Sequence, residues 1–162
     1  MNILFLDVDG PLIPARMYYN GIPKNSEGVY LYDPVAVGMV KKLVEFYKLK
    51  LVYNSSHNAD GWVSMVKQAT TNGFTKEMLH DDPTTKFPLG LLVRMDGISE
   101  WLTRHPEVDK WAVVDDYELP VPNAVKVDFN LGITLDNFEA LASKFGTAYT
   151  LKVISGIGKK IG

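Results

Sequence analysis

A chain of 162 residues with 46% apolar and 22% charged residues has the size and composition of one globular domain, which excludes wholesale disorder, collagen-like and coiled-coil chains. Its 17 Lys and Arg against 19 Asp and Glu give a net charge of −2, so there is no global basic field to hold a nucleic-acid backbone. The absence of cysteine excludes disulfides, thiolate metal sites and a cysteine nucleophile.

Residues 3–6 are an all-apolar run ending at Asp7, the mark of a strand buried on both faces. With no basic segment before it, this reads as a strand rather than a signal peptide, and the default location is the cytoplasm. Residues 13–32 carry Pro14, Gly21, Pro23 and Gly28 among four tyrosines and read as a loop or small flap. Asp33-Pro34 gives an N-cap and a first-turn proline. Ala36, Val40, Leu43, Val44 and Tyr47 follow at helical spacing, predicting a helix over 34–48. Leu49–Tyr53 is a second strand ending in Asn54-Ser55-Ser56-His57. Trp62, Val63, Val66 and Ala69 make a second helix that stops at Asn72-Gly73.

Further on, Glu77–Leu79 reads as a weak strand, and Asp81-Asp82-Pro83 as a solvated turn. A third helix is predicted over about 95–104 through Ile98, Trp101 and Leu102. Trp111–Val114 is a strand ending at Asp115-Asp116, and Ala124–Val127 is another. Thr134 caps a last helix with Leu135, Phe138, Leu141 and Phe145 on one face, closed by Gly146. Tyr149–Ile154 reads as a terminal strand. No run approaches the ~18 apolar residues of a membrane span. Strand–helix alternation with short connections predicts a single α/β domain over 1–162, with a mainly parallel sheet covered on both faces.

Ligands of such sheets bind outside the carboxyl ends of the strands, at the topological switch point. Three strands end there in polar residues: Asp7-Val8-Asp9-Gly10, Asn54-Ser55-Ser56 and Asp115-Asp116. Carboxylates gathered at one edge repel each other and are costly to desolvate. A hard divalent cation resolves that conflict, and Mg²⁺ takes oxygen ligands beside a substrate phosphate. A carboxylate edge with a cation and a hydroxyl nearby therefore points to phosphoryl transfer, where positioning and charge neutralisation supply most of the catalysis.

Ile3–Leu12, an apolar strand followed by Asp-x-Asp-Gly, resembles the first motif of the haloacid-dehalogenase (HAD) phosphohydrolase superfamily. Leu51–Ser56 and Val113–Asp116 are similar to its second and fourth motifs. Arg94-Met95-Asp96-Gly97-Ile98-Ser99-Glu100-Trp101-Leu102 resembles the small HAD domains of Swiss Army Knife RNA-repair proteins, in which an Arg stands where most relatives have the third-motif Lys. The resemblance spans residues 3–145. It implies a three-layer α/β/α fold, a five-stranded parallel sheet with a small flap and no cap domain. It also implies a Mg²⁺-dependent phosphatase working through an aspartyl-phosphate. Asp7 would be the nucleophile and Asp9 the general acid/base. Ser55, Ser56, Arg94 and Gly10 would bind phosphate, and Asp7, Asp9 (through its carbonyl), Asp115 and Asp116 would hold the metal. Lys86 competes with Arg94 for the third-motif role. Pro11 and His57 depart from the family pattern.

The expected partner is a phosphorylated substrate, a nucleotide, nucleic-acid end or other phosphomonoester, reached through an open site; nucleic acid enters without a basic footprint. The oligomeric state is left open. Two other readings stand beside the phosphatase: a receiver-like phospho-switch, and a catalytically inactive HAD fold used as a binding module.

Overall fold

The computed structural model describes residues 1–60, 62–86 and 93–146. Among these residues, nine helices and strands follow one another: β1 (Asn2–Leu6), α1 (Pro34–Tyr47), β2 (Leu49–Tyr53), α2 (Trp62–Thr71), β3 (Leu79–Thr84), α3 (Val93–Arg104), β4 (Lys110–Asp115), β5 (Ala124–Lys126) and α4 (Leu135–Phe145). The strands form a single parallel sheet in the order β3-β2-β1-β4-β5. Helices cover both faces, as the strand–helix alternation predicts.

The period of two along β1 assigns its side chains to the two faces. Leu4 and Leu6 enter the larger core with Val40 and Leu43 of α1, Met65 and Ala69 of α2, and Phe138 and Leu141 of α4. Ile3 and Phe5 enter the smaller one with Ile98 and Trp101 of α3. All four β1 side chains are fully buried, each contributing roughly 1.5–3 kcal/mol of apolar burial. The strand that carries the first acidic pair is therefore firmly held at the centre of the sheet.

The caps fall where the sequence places them. Asp33 Oδ1 accepts the Val35 N–H at 2.9 Å at the start of α1. Thr134 and Asn137 form a reciprocal capping box on α4, satisfying amides the helix leaves open. Two apolar residues lie on the side opposite to that expected. Val63 of α2 and Leu135 of α4 are exposed, and Met65 and Ala142 take the buried positions.

The Asp81-Asp82-Pro83 stretch is a correction. It is not a turn after a strand at 77–79 but part of β3 itself. A proline and two acids are tolerated because β3 is an edge strand, whose outer backbone needs no ladder partner. Its register with β2 is irregular, jumping from Leu51↔Leu79 to Tyr53↔Thr84. Residues 149–154, read as a terminal strand, lie outside the described residues. No helix among the described residues is long and apolar enough to cross a membrane.

The order 3-2-1-4-5 places the switch point between β1 and β4. Their register pairs Leu6 with Val114, and the Asp7 N–H donates to the Val114 carbonyl at 3.1 Å. The next residues on the two strands, Asp7 and Asp115, therefore leave the sheet side by side.

Candidate active site

Asp7 and Asp115 are each only 1% exposed, and one guanidinium serves both. Arg94 Nη1 donates to Asp7 Oδ2 at 2.7 Å and to Asp115 Oδ2 at 2.5 Å. The other oxygens take backbone donors: Val8 N–H to Asp7 Oδ1 at 2.8 Å, and Tyr117 N–H to Asp115 Oδ1 at 2.9 Å. Arg94 lies in the first turn of α3 and packs its guanidinium carbon 4.7 Å from the centre of the Tyr117 ring, a cation–π contact that steadies it. Gly97 lets this end of the helix come close. A Cβ there would stand 3.0 Å from the Lys86 carbonyl oxygen.

The charges do not cancel. Burial, then repulsion from Asp115, pushes the Asp7 pKa up to about 7 in spite of Arg94. Burial raises Asp115 as well. Burial opposes the charge on Arg94, but Asp7 and Asp115 outweigh it and hold its pKa above the ordinary value. Asp116 adds a third carboxylate. One oxygen each from Asp7, Asp115 and Asp116 all lie within 4.8 Å of one another. Three acids facing one guanidinium, with an all-oxygen donor set, fit a hard divalent cation.

Gly10 makes the turn after β1 possible. Its φ is +85°, and an added Cβ would come within 2.6 Å of Asp116 Cβ. Its N–H donates to the Ile13 carbonyl at 3.0 Å, so the residue contributes shape and close approach rather than a free donor. The turn brings Asp9 out of the core and partly into solvent. There His57 Nε2 meets its Oδ2 at 3.1 Å, and the Tyr18 hydroxyl approaches Oδ1 at 3.4 Å. The His57 hydrogen bond leads the causes that lower the Asp9 pKa, against burial. The two acids of Asp-x-Asp, two residues apart, are thus pushed in opposite directions, Asp7 by burial and Asp9 by its contact with His57.

Ser55 is fully buried and hydrogen-bonds the Asp7 side chain. Ser56 is exposed at the start of a 3₁₀ turn over Ser56–Asp60. Lys86 is exposed and pairs with no acid among the described residues. Of the two candidate cations, then, Arg94 is the one that reaches Asp7 and Asp115. The sequence singles out His57 only as a departure from the family pattern and does not place Tyr18 or Gln68 beside Asp9. The only sequence signal was position: His57 follows Ser55 by two residues on the loop that leaves β2, and Tyr18 lies in the Tyr-rich flap.

The model of a family described as "HAD domain in Swiss Army Knife RNA repair proteins" matches residues 3–138. The chain belongs to this family. No curated protein and no solved structure matches it. The HAD superfamily is one of phosphohydrolases and generally uses Mg²⁺. The match covers every residue of the carboxylate edge. The HAD-like sheet is therefore settled both by topology and by family.

Proposed function

We propose that this protein is a phosphomonoester hydrolase in which Asp7 is the nucleophile, Asp9 the general acid/base, and nucleic-acid ends or nucleotides the substrates. One observation carries the reading. Two buried carboxylates at the switch point share a single guanidinium, while Asp9, two residues beyond Asp7, stands apart and partly exposed, held by His57 and Tyr18. Such oppositely perturbed acids in a crevice mark functional sites.

In the first half-reaction an Asp7 oxygen attacks phosphorus, and the P–O bond to the leaving group breaks as Asp9 gives that oxygen its proton. In the second, Asp9 takes a proton from water, the water oxygen attacks phosphorus, and the Asp7–P bond breaks to release phosphate. Splitting one displacement in two is the gain of covalent catalysis, and proton transfer by a placed carboxyl adds typically about 10²–10⁴-fold. The lowered pKa of Asp9 suits the second half. For the first, the negative charge of a bound phosphate beside it raises the pKa again by repulsion. Arg94 and the Ser55 hydroxyl orient the phosphoryl oxygens, Arg94 through its planar fork.

Asp7, the Asp9 carbonyl, Asp115 and Asp116 would hold Mg²⁺, which when bound offsets the negative charge of the carboxylates and the phosphoryl group. The substrate class rests on the RNA-repair family and on the flap. Residues 15–20 form only a 3₁₀ turn, with Tyr19 90% exposed at its end. A cover this small leaves room for a phosphate on a chain end.

The test is a phosphatase screen over nucleotides, 3′- and 5′-phosphorylated oligonucleotides, sugar phosphates and phosphopeptides, with Mg²⁺ and with chelator. The expected result is Mg²⁺-dependent multiple turnover, with an oligonucleotide end used at least as well as a mononucleotide. Full activity after metal stripping overturns the metal role. A lack of turnover on every phosphomonoester overturns the enzyme and favours a binding module.

A further inference from the structure

Asp9 is held by more than His57. A chain of hydrogen bonds leads from the larger core to its carboxylate. Tyr32 is 4% exposed, and its hydroxyl donates to Gln68 Oε1 at 3.0 Å. Burial raises the Tyr32 pKa well above 10, so this phenol keeps its proton and has it to donate to Oε1. With Oε1 used as the acceptor, the Gln68 amide turns its Nε2–H₂ outward, and Nε2 lies 3.5 Å from His57 Nδ1. An amide nitrogen only donates, so Nδ1 must offer its lone pair. The ring proton is thereby placed on Nε2, which faces Asp9 Oδ2 at 3.1 Å. The Tyr30 ring packs edge-on against the imidazole at 4.9 Å between centroids, closing its side.

We propose that Gln68, anchored by Tyr32, sets the tautomer and orientation of His57 so that an N–H is always presented to Asp9, making Gln68 and His57 positioning residues for the acid/base. The proposal rests on the assignment of Asp9 to that role. It explains why a loop histidine and a glutamine on α2 are brought together below the site. Gln68 is 7% exposed, and an amide is not buried there for packing alone, since its polar groups are costly unless bonded. The arrangement also assigns direction. Asp9 accepts from His57 on one oxygen and from Tyr18 on the other, so its carboxylate is held in place until a substrate displaces the Tyr18 hydroxyl, the longer and more exposed of the two contacts.

Two measurements decide it. The first needs no substrate and no variant. Two-bond ¹H–¹⁵N NMR of ¹⁵N-histidine-labelled protein at pH 7.5 should show His57 in the Nε2–H tautomer. A ring protonated on Nδ1, or on both nitrogens, overturns the proposal. This result stands whatever the phosphatase screen returns, so failure here is distinct from failure of the phosphatase reading. The second is kinetic. His57→Leu should lower kcat by about tenfold or more with KM within about twofold, while His57→Gln, whose amide can donate to Asp9 and accept from Gln68, should recover to within about threefold of wild type. Gln68→Met should lower kcat by about three- to tenfold alone and add nothing on top of His57→Leu, because residues acting through one contact are not additive. Equal losses in His57→Leu and His57→Gln, or additive losses in the double variant, overturn it.

Discussion

The two ends of α3 carry similar chemistry and opposite energetics. At its first turn Arg94 meets Asp7 and Asp115, with the acids 1% exposed. At its last turn Arg104 meets Asp82 and, one helical turn back, Glu100, with every side chain a third or more exposed. His105 joins this second cluster, its Nε2 on Asp82 at 3.2 Å and its Nδ1 on Glu107 at 3.0 Å. Burial works against the charge on Asp82, but hydrogen bonds from Arg104 and His105 outweigh it and hold its pKa below the usual carboxylate range. At the other end burial wins, and Asp7 is driven up to about 7. The difference is solvent and charge balance, since one guanidinium shared by two buried acids cannot repay their desolvation. The C-terminal cluster is a fastening between α3 and β3. His80, His105 and Glu107 lie close enough together to suggest a metal site, yet His80 Nδ1 already accepts the Asp82 N–H at 3.0 Å, and both His105 nitrogens face carboxylates. The N-terminal cluster is under-compensated, and that deficit is what a cation can offset.

The sharpest break in the comparison is at Asp7. Asn nearly keeps the shape and removes the nucleophilic charge, so Asp7→Asn should lower kcat by at least roughly 10³-fold. A fluoride-based phosphoryl mimic trapped on the wild-type protein should map to Asp7. Retention of more than about a tenth of wild-type kcat would return the receiver-like or binding-module readings to favour.

Next in size is the arginine itself. Arg94→Met leaves two buried carboxylates without their partner, a loss on the order of 3–5 kcal/mol, read by chemical denaturation in metal-free buffer. Mg²⁺ should restore part of that loss if the carboxylates form the cation site. A variant as stable as wild type would show that solvent reaches Asp7 and Asp115 far more freely than their burial indicates.

Much of this contrast is legible in the sequence. Apolar runs ending in Asp7 and Asp115 locate the edge because strand ends of a parallel sheet converge on its switch point, and the β1–β4 register then follows from topology. What is not legible is anything that depends on which helix face turns inward. Gln68 lies eleven residues beyond His57 on another element, and no spacing rule connects them. Tyr18 reaches Asp9 only because the chain doubles back after Ile13. Asp81-Asp82-Pro83 carries every local mark of a turn, and becomes a strand because an edge position forgives the proline. The sequence favours Arg94 over Lys86 only through the helix that follows it, and the reach of Arg94 to Asp7 and Asp115 follows from α3 being laid down on the β3 exit, where Gly97 permits the close approach.

A smaller effect sharpens the comparison through pH. The Asp7 carboxyl has an ordinary pKa of 3.8 when unfolded and about 7 when folded. Between those values the folded chain keeps a proton that the unfolded chain has released, so Asp7 lowers stability progressively as pH rises from about 4 to about 7. Metal-free Asp7→Asn should therefore be more stable than wild type at pH 7.5, by on the order of 1–3 kcal/mol, and close to it at pH 4.5. Melting curves of both proteins at both pH values isolate this contribution. Added Mg²⁺ should raise Tm for the wild type far more than for Asp7→Asn. A wild type that outlasts Asp7→Asn at pH 7.5 without metal would mean that Arg94 fully compensates Asp7, and the contrast between the two helix ends would vanish.

The smallest effect belongs to the balanced end. Arg104→Ala removes contacts to Asp82 and to Glu100, including Nε to Oε1 at 2.7 Å. Each partner is solvated, and His105 stays on Asp82 to hold part of the charge, so the loss should not exceed about 1 kcal/mol. It should shrink further in about 0.5 M salt, because exposed pairs are screened over distances well below 10 Å there. Phosphatase turnover should not change, since about 15 Å of helix separates Arg104 from Arg94 at 1.5 Å per residue. Denaturant midpoints at low and high salt, measured beside those of Arg94→Met, test whether one helix carries a functional ion cluster at one end and a structural one at the other. A salt-insensitive loss of several kcal/mol at Arg104 would show the second cluster to be as desolvated as the first, and burial would no longer explain why only one of them is poised for chemistry.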